Sequence, residues 1–320
     1  MLLSVTLIVA GLVALYYGAE WLVRGATSLA LKLGMTPLIA GLTVVAFGTS
    51  SPELVVSLTA TLQGQGDIAL GNVVGSNIFN IAVILAITAI IVPLRVEFQL
   101  LKFDTPFMIA SAGLFLWFFQ DRSIDSIEAA ILFGLLVVYV AVNVWLAKRQ
   151  TTAAVNSEYA SGMEAVDATA TTPGWKIALL LVIGLGVLVA GSKAFVSGAV
   201  EIARTFQISE AIIGLTIVAA GTSLPELASS LVAAMRKQAD IAIGNVIGSS
   251  IFNILCILGI SGMAAGPLQG PGISQVDLYV MFGFSLVLMP ILWTSSMVRR
   301  WEGVVLLAGY GAYLAFIWPK

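Results

Sequence analysis

Long apolar runs separated by short polar breaks follow one another along the whole chain. A helix needs a run of about 20 apolar residues to cross the hydrocarbon core of a bilayer. On that criterion the pattern predicts ten membrane-spanning helices, five on either side of one long polar stretch. The predicted helices cover residues 3–24, 38–62, 68–92, 105–120, 124–147, 175–200, 211–235, 241–263, 275–295 and 301–318. The predicted fold class is an all-α polytopic membrane protein.

One segment, Gly41 to Ile91, occurs a second time as Gly214 to Ala264. At a constant offset of 173 residues the two copies agree at 30 of 51 positions. Because each half has an odd number of spans, the second half must enter the membrane upside down. We therefore expect two inverted five-helix repeats, as in many secondary transporters. The predicted domains are residues 1–147 for the first repeat, 148–174 for a linker and 175–320 for the second, inverted repeat.

Composition supports a membrane protein and excludes several kinds of chemistry. Hydrophobic residues make up 59% of the chain and charged residues only 10%, where a soluble domain has roughly 25% charged residues. There is no histidine and only one cysteine, Cys256, which excludes Ser-His and Cys-His nucleophile pairs and HExxH zinc sites. The net charge of -2 gives no reason to expect nucleic acid. We expect neither an enzyme nor a prosthetic group.

The distribution of lysine and arginine predicts the orientation. With ten spans, eleven of these residues lie on one face of the membrane and four on the other. Cytoplasmic loops are enriched in positive charge, so the first face is assigned to the cytoplasm of a cell membrane. Both termini are then outside, and the linker 148–174 is inside. Its Thr, Ala and Ser content predicts a flexible tether, and three scattered acids there (Glu158, Glu164 and Asp167) indicate a regulatory ion site only weakly.

The first helix of each half carries glycine at every seventh position. Residues seven apart share a helix face, so each helix has a smooth seam where another backbone can approach closely. The seams consist of Gly11, Gly18 and Gly25, and of Gly184, Gly191 and Gly198. Two interpretations follow: static tight packing, or sliding of these two helices against the rest of the protein.

Polar residues recur at matched positions inside the apolar segments of both halves. Such residues are expensive in lipid and usually mark a functional site. Glu53 and Asn80 fall near the middle of their predicted helices, and so do Glu226 and Asn253. Hydroxyls three or four residues away share a face with them. The candidate site consists of Thr49, Ser50, Glu53, Ser76 and Asn80, and of Thr222, Ser223, Glu226, Ser249 and Asn253.

Two prolines add backbone oxygens to this set. Pro52 and Pro225 lack an N–H, which should free carbonyls near 46–48 and 219–221 from helical bonding. All of the donors are then oxygens, which suit hard cations such as Ca²⁺ and suit soft metals poorly. The two carboxylates supply a charge of -2, which balances one Ca²⁺ or two Na⁺. Occupancy by alternative cations is a natural basis for exchange.

Other polar residues have ordinary structural explanations. Thr and Ser in membrane helices often bond to their own preceding carbonyls. The remaining assignments are Asp67 and Asp240 as helix N-caps, Asn72 and Asn245 as ties between loops, and Glu20 and Lys193 as snorkelling residues.

The motifs themselves resemble a known family. GTSSPE with GNVVGSNIFN, and GTSLPE with GNVIGSSIFN, are similar to the two alpha-repeats of the cation/calcium antiporter superfamily, closest to its prokaryotic sodium/calcium exchangers. The resemblance extends over all ten predicted spans. It implies that Na⁺ entry drives Ca²⁺ extrusion by alternating access, with the first helix of each half forming the moving bundle. Ion ligands would fall on the ten side chains of the candidate site and on the carbonyls of Ala46 and Ala219.

One departure from the family pattern and two rival functions bear on this interpretation. Many relatives have Asp where this chain has Asn253, and an acid there accompanies potassium dependence in one branch, so we predict no potassium requirement. A proton/calcium antiporter is the nearest rival, although its usual GNxxE-type motif and histidine are missing. A cation channel could use the same ligands. The expected partners are Ca²⁺, Na⁺ and the lipid bilayer, and the chain is expected to function as a monomer.

Overall fold

The computed structural model describes residues 1–150, 172–207 and 219–317, and these form a bundle of helices. Most of the predicted linker and the start of predicted helix 211–235 lie outside the described residues. The helices are α1 (Leu2–Leu33), α2 (Pro37–Thr49), α3 (Ser51–Leu62), α4 (Gly66–Ile91), α5 (Leu100–Asp121), α6 (Ser126–Gln150), α7 (Gly174–Thr205), α8 (Ala219–Thr222), α9 (Leu224–Met235), α10 (Ala239–Ala265), α11 (Gln275–Ser295) and α12 (Arg300–Ile317).

The all-helical, multi-pass membrane architecture is confirmed. Within the described residues, α1, α4, α5, α6, α7, α10 and α11 are long and apolar enough to cross a bilayer. The consecutive pair α2 and α3 makes an eighth span when it is counted as one. The number of ten spans stays a prediction.

The first helix of each half is longer than its apolar run. α1 was predicted to end near residue 24 but continues to Leu33, and α7 continues to Thr205. The extension of α1 is held by buried Ala26 and Ala30 and ends where Gly34 adopts a left-handed conformation with φ 64°. A glycine there is the usual helix stop. Hydropathy detects only the membrane-crossing part of such a helix.

A continuous helix over residues 38–62 was predicted, and that prediction is wrong. The helix breaks at Ser50, and α2 and α3 are bent by 44°. Pro52 lies in the first turn of α3, a position where its missing N–H costs no helical bond. Glu53 therefore lies at the start of a half-helix rather than past the middle of a long one. Glu226 occupies the same place in the first turn of α9.

Several helices contain a π-helical turn. These turns are Gly41–Val45 in α2, Asn80–Leu85 in α4, Leu100–Asp104 in α5 and Asn253–Ile257 in α10. A π turn inside an α-helix shifts the side-chain register and is frequent at functional sites. Asn80 and Asn253, both candidate ligands, are each the first residue of such a turn.

Two short antiparallel ribbons mark the two ends of the bundle. β1 (Leu94–Arg95) pairs with β4 (Met297–Val298), and β2 (Ser123–Ile124) pairs with β3 (Leu268–Gln269). Each ribbon joins a strand of one half to a strand of the other. We call the two ends of the molecule the β1–β4 face and the β2–β3 face.

The helices that carry the GN motifs form the centre of the bundle. The apolar window of α10 is 100% buried and that of α4 is 72% buried, whereas the windows of α1 and α7 are 28% and 22% buried. α4 and α10 are thus the core helices, and α1 and α7 lie at the outside. The sequence places all four in the membrane but does not rank them by depth in the protein.

The two glycine seams face each other. A Cβ on Gly18 would lie 2.7 Å from the Leu188 nitrogen, and one on Gly184 would lie 2.6 Å from the Leu22 nitrogen. Those distances are far inside van der Waals contact, so α1 and α7 pack backbone to backbone. The seams therefore do not face the rest of the protein, and sliding of α1 and α7 against it stays a prediction. The seams join α1 and α7 into a pair.

That pair is held differently at the two faces. Near the β1–β4 face α1 packs against α9, and buried Glu20 forms ion pairs with Arg24, at 2.7 Å, and with Arg236, the C-cap of α9. The snorkelling prediction for Glu20 is wrong, because Glu20 is only 6% exposed. Near the β2–β3 face, a cavity of about 550 Å³ separates α7 from α3 and is lined by Val55 and Lys193 among others.

Candidate functional site

Two buried carboxylates from opposite halves lie in one site. Glu53 and Glu226 are each 1% exposed. Ser223 Oγ donates a hydrogen bond to Glu53 Oε1 at 3.1 Å, and Ser50 Oγ donates to Glu226 Oε1 at 3.1 Å. Each serine sits at the helix break of one half and bonds the glutamate of the other half. The breaks therefore bring the two GTS-x-PE motifs into direct contact.

The neighbouring threonines repeat this reciprocal pattern. The Thr222 side chain bonds Glu53, and the Thr49 side chain bonds Glu226. Thr49 Oγ1 also lies 3.0 Å from the Val45 carbonyl oxygen, which is the back-bonding that sequence reasoning left open, and 3.1 Å from Asn245 Oδ1. Its single proton can be donated to one of these acceptors at a time. Thr49 therefore has a back-bonding partner in its own helix, and its role as an ion ligand stays a prediction.

The core helices contribute the other predicted side chains. Ser76 Oγ of α4 lies 3.4 Å from Ser223 Oγ of α9. Asn80, Ser249 and Asn253 are at most 1% exposed. The π turn that begins at Asn80 packs against α9, and the π turn that begins at Asn253 packs against α3, so each core helix contacts the half-helix of the other repeat.

Several buried polar atoms in this region have no hydrogen-bond partner among the described residues. They are Glu53 Oε2, Glu226 Oε2, Ser249 Oγ, Asn253 Oδ1 and both polar atoms of the Asn80 amide. Most buried polar atoms in proteins are paired, and leaving one unpaired costs about 1–3 kcal/mol. A bound hard cation would satisfy the unpaired oxygens among these atoms, including one oxygen of each carboxylate.

The predicted release of backbone carbonyls by proline is right at one position and wrong at another. The Gly221 carbonyl, four residues before Pro225, accepts a hydrogen bond from Ser192 Oγ of α7 at 2.5 Å. The Ala46 carbonyl is not released, because it accepts the Ser50 N–H at 3.0 Å. Coordination by Ala46 would use its second lone pair. Ala219 is the first residue of α8.

The two asparagines outside the ligand set tie helices together rather than loops. Asn72 Nδ2 of α4 donates to Ser57 Oγ of α3 at 2.9 Å. Asn245 Nδ2 of α10 donates to Ser229 Oγ and Ser230 Oγ of α9 at 3.0 and 2.9 Å. Each asparagine fixes a half-helix that carries a glutamate against a core helix. Sequence reasoning missed this role, although the recurrence at the 173-residue offset pointed to both residues.

The N-cap assignments are wrong. The N-caps of α4 and α10 are Gln65 and Gln238, so that Asp67 and Asp240 lie in the first turns. Asp67 Oδ1 instead accepts the Gly272 N–H at 2.8 Å and so links two connections on the β2–β3 face.

Asp240 has a partner that the sequence did not indicate. Its side chain bonds Glu97, which lies between β1 and α5 on the β1–β4 face. Burial, and then the nearby charge of Asp240, raise the pKa of Glu97 to about 8. The repeat could not reveal this pair, because the position equivalent to Glu97 in the second half is Gly270.

A buried, doubly acidic, oxygen-lined site inside an all-helical multi-pass membrane protein defines a cation transporter rather than an enzyme. The chain matches the family described as sodium/calcium exchanger protein over residues 3–145 and 176–318. Because these two stretches make up most of the chain, it belongs to that family of antiporters. The resemblance identified from the GTS and GN motifs is confirmed.

Curated relatives match over nearly their whole length. The chain is 38% identical over 317 residues to the putative antiporter CaxA of Alkalimonas amylolytica, covering 98% of both proteins. It is 34% identical to the sodium/calcium exchanger MaX1 of Methanosarcina acetivorans, covering 96% of both. A solved structure of the sodium-calcium exchanger NCX_Mj, soaked with Na⁺ and Sr²⁺, matches with a TM-score of 0.82 and 31% identity, covering 98% of both chains.

Proposed function

We propose that this protein exchanges Na⁺ for Ca²⁺ across a cell membrane through the site around Glu53 and Glu226. The observation that carries the proposal is the reciprocal bonding of these two buried carboxylates by Ser223 and Ser50 of opposite halves, with the second oxygen of each carboxylate unpaired. Two ionised carboxylates so close together and so deeply buried need a compensating charge. One Ca²⁺ or two Na⁺ supplies it, so the two ions compete for the same oxygens.

The proposed ligands are those predicted from the sequence. The side chains are Thr49, Ser50, Glu53, Ser76, Asn80, Thr222, Ser223, Glu226, Ser249 and Asn253, with the carbonyls of Ala46 and Ala219. Ca²⁺ accepts 6–8 oxygens in a flexible cage, so each ion would use a subset of this group. The similarity to MaX1 and NCX_Mj, both sodium/calcium exchangers, supports the choice of ions.

We further propose ten spans arranged as two inverted repeats, with the domains 1–147, 148–174 and 175–320. The ribbons support this arrangement. Moving β1 by about 173 residues gives β3, and moving β2 by the same amount gives β4. The symmetry that relates the two halves therefore places the β1–β4 ribbon of one face onto the β2–β3 ribbon of the opposite face. An inverted repeat requires this.

We assign the β1–β4 face to the cytoplasm, because Arg95, Arg299 and Arg300 lie there with most of the other basic loop residues. Both termini are then extracytoplasmic. We infer that the described conformation is open towards the β2–β3 face, because of the cavity between α7 and α3, and closed at the other face, where Glu20 pairs with Arg236. In the proposed alternating-access cycle α1 and α7 move together as one unit against a fixed core, and the protein works as a monomer.

The test is ⁴⁵Ca²⁺ flux in proteoliposomes under an imposed Na⁺ gradient or, separately, an imposed pH gradient. We expect uptake driven by Na⁺ and not by protons, and loss of at least 90% of it in Glu53→Gln and in Glu226→Gln. Glu201→Gln changes an exposed acid at the end of α7 and is the matched control, which should transport like the wild type. Uptake driven only by the pH gradient, or uptake without a counter-ion on the opposite side, would refute the proposal.

A further inference from the structure

A second cavity connects the β2–β3 face with the ion site. Its volume is about 690 Å³, and its lining includes Asp277 at the mouth and Ser76 and Thr222 beside the buried carboxylates. Its wall along α4 contains Gly71 and Gly75, and a Cβ on Gly75 would meet nothing within 4 Å. A cavity with this lining has the geometry of an ion path between solvent and the site.

The wall of this path is mostly apolar, and Asp277 is the carboxylate among its described lining residues. Asp277 lies in the first turn of α11, and its Oδ1 accepts a hydrogen bond from Tyr313 OH of α12 at 2.8 Å. That bond leaves Oδ2 for another ligand. A fixed negative charge in a cleft with apolar walls raises the local concentration of cations, because the walls focus its field.

The same pair occurs in the first half, at the other face. Asp104 precedes Asp277 by 173 residues, and its Oδ1 accepts a hydrogen bond from Tyr139 OH at 2.9 Å. Asp104 and Tyr139 are both 0% exposed. Asp104 lies on α5 close to Glu97, and so near the β1–β4 face. One copy of the pair therefore lines an open cavity while the other copy is sealed inside the protein.

Close packing against two glycines of α10 explains why the Asp104–Tyr139 pair is buried. Gly244 and Gly248 of α10 correspond to Gly71 and Gly75 of α4. A Cβ on Gly244 would lie 2.9 Å from the Leu38 carbonyl oxygen, and one on Gly248 would lie 2.6 Å from the Leu42 carbonyl oxygen. The backbone of α2 thus covers, at the closed face, the surface that forms the ion path at the open face.

We infer that Asp277 with Tyr313 is a capture site for hydrated Na⁺ and Ca²⁺ at the open mouth, and that Asp104 with Tyr139 serves as its counterpart when the other face opens. This inference rests on the proposed exchange function. It adds a binding step outside the site around Glu53 and Glu226. That step changes the local concentration of ions at the mouth and does not change the exchange step itself. A capture carboxylate should therefore change the apparent KM and leave the maximal rate nearly unaltered.

The experiment measures Na⁺-dependent ⁴⁵Ca²⁺ uptake into right-side-out and everted membrane vesicles made from the same cells. Asp277→Asn removes the charge but keeps an oxygen that can accept the Tyr313 hydroxyl, so the tie between α11 and α12 is retained. We expect the KM for Ca²⁺ to rise about three- to tenfold in one vesicle type only, with less than a twofold change in maximal rate. Asp104→Asn should give the same rise in the opposite vesicle type.

Two further variants and the ionic strength separate charge from structure. Asp277→Glu should keep the wild-type KM. Tyr313→Phe keeps the charge but removes the hydroxyl that holds Asp277 in place, so it should raise the KM by less than Asp277→Asn does. Raising the ionic strength from about 0.01 M to about 0.3 M should shrink the difference between Asp277→Asn and the wild type, because screening shortens the reach of an exposed charge.

The outcomes are distinct from those that test the exchange function. If the wild type shows no Na⁺-dependent uptake, the proposed function fails and the capture site fails with it. If the wild type exchanges normally, an unchanged KM in Asp277→Asn, an equal rise in both vesicle types, or a lower maximal rate at constant KM overturns the capture site alone. The Asp277 variants decide the question even if Asp104→Asn does not fold.

Discussion

The backbone contact between α1 and α7 predicts that glycine-to-alanine substitutions on α7 have different effects at different positions. Gly184 and Gly186 lie two residues apart on α7, in the same helix and at similar depth. A Cβ on Gly184 would lie 2.6 Å from the Leu22 nitrogen and 3.0 Å from the Gly18 oxygen, both backbone atoms of α1. A Cβ on Gly186 would meet nothing within 4 Å. The same substitution, glycine to alanine, should therefore have opposite effects at the two positions.

The magnitudes follow from two competing contributions. Alanine stabilises a helix interior by about 1 kcal/mol relative to glycine, and this is the only contribution expected in Gly186→Ala. In Gly184→Ala the methyl group must push two backbones apart, and overpacking of this kind costs about 1–3 kcal/mol. We expect the unfolding temperature in detergent to rise slightly or stay constant for Gly186→Ala and to fall clearly for Gly184→Ala.

The assay is thermal unfolding of the purified protein, followed by tryptophan fluorescence, with ⁴⁵Ca²⁺ flux measured on the same preparations. Gly18→Ala, which changes the opposing seam, should resemble Gly184→Ala. Equal unfolding temperatures for the Gly184 and Gly186 variants would refute the close packing of α1 on α7. If Gly184→Ala were destabilised but transported at the wild-type rate, the proposal that α1 and α7 move as a tightly packed unit would lose its support.

Three further predictions concern the closed face and the ion site. Glu20→Gln leaves the Arg236 guanidinium without its buried carboxylate and should lower the free energy of unfolding by about 3 kcal/mol, whereas Glu201→Gln should leave it unchanged in the same unfolding assay. Because Glu97 binds its proton more tightly in the folded protein, with a pKa of about 8, stability should fall as the pH rises from about 5 to 8. Glu97→Gln should flatten that slope, and an identical slope would contradict the assignment. With an amide at Asn253, Na⁺-driven Ca²⁺ uptake should be the same with and without K⁺, and a K⁺ requirement would contradict this.

The candidate site could be predicted from the sequence because the same polar residues recur at matched positions in both halves. Recurrence of glutamate beside proline in two apolar segments separates ligands from packing residues, since apolar positions recur in any pair of membrane helices. The structure brings Glu53 and Glu226 together with the serines predicted to accompany them. What recurrence could not reveal was the unduplicated pairs, such as Glu20 with Arg236 and Glu97 with Asp240, because at least one member of each pair comes from a position where the two halves differ.

The sequence alone determined the class of protein, the all-helical membrane architecture and the oxygen-donor chemistry, because these depend on residue type, spacing and hydropathy along one segment at a time. Only the tertiary structure decided that the glycine seams face each other, that Glu53 begins a half-helix, and that one Asp-Tyr pair lines a cavity while the other is sealed. These features depend on which helices become neighbours and on which face is open. Both are outcomes of packing between distant segments, and an apolar run has the same hydropathy whichever neighbour it meets.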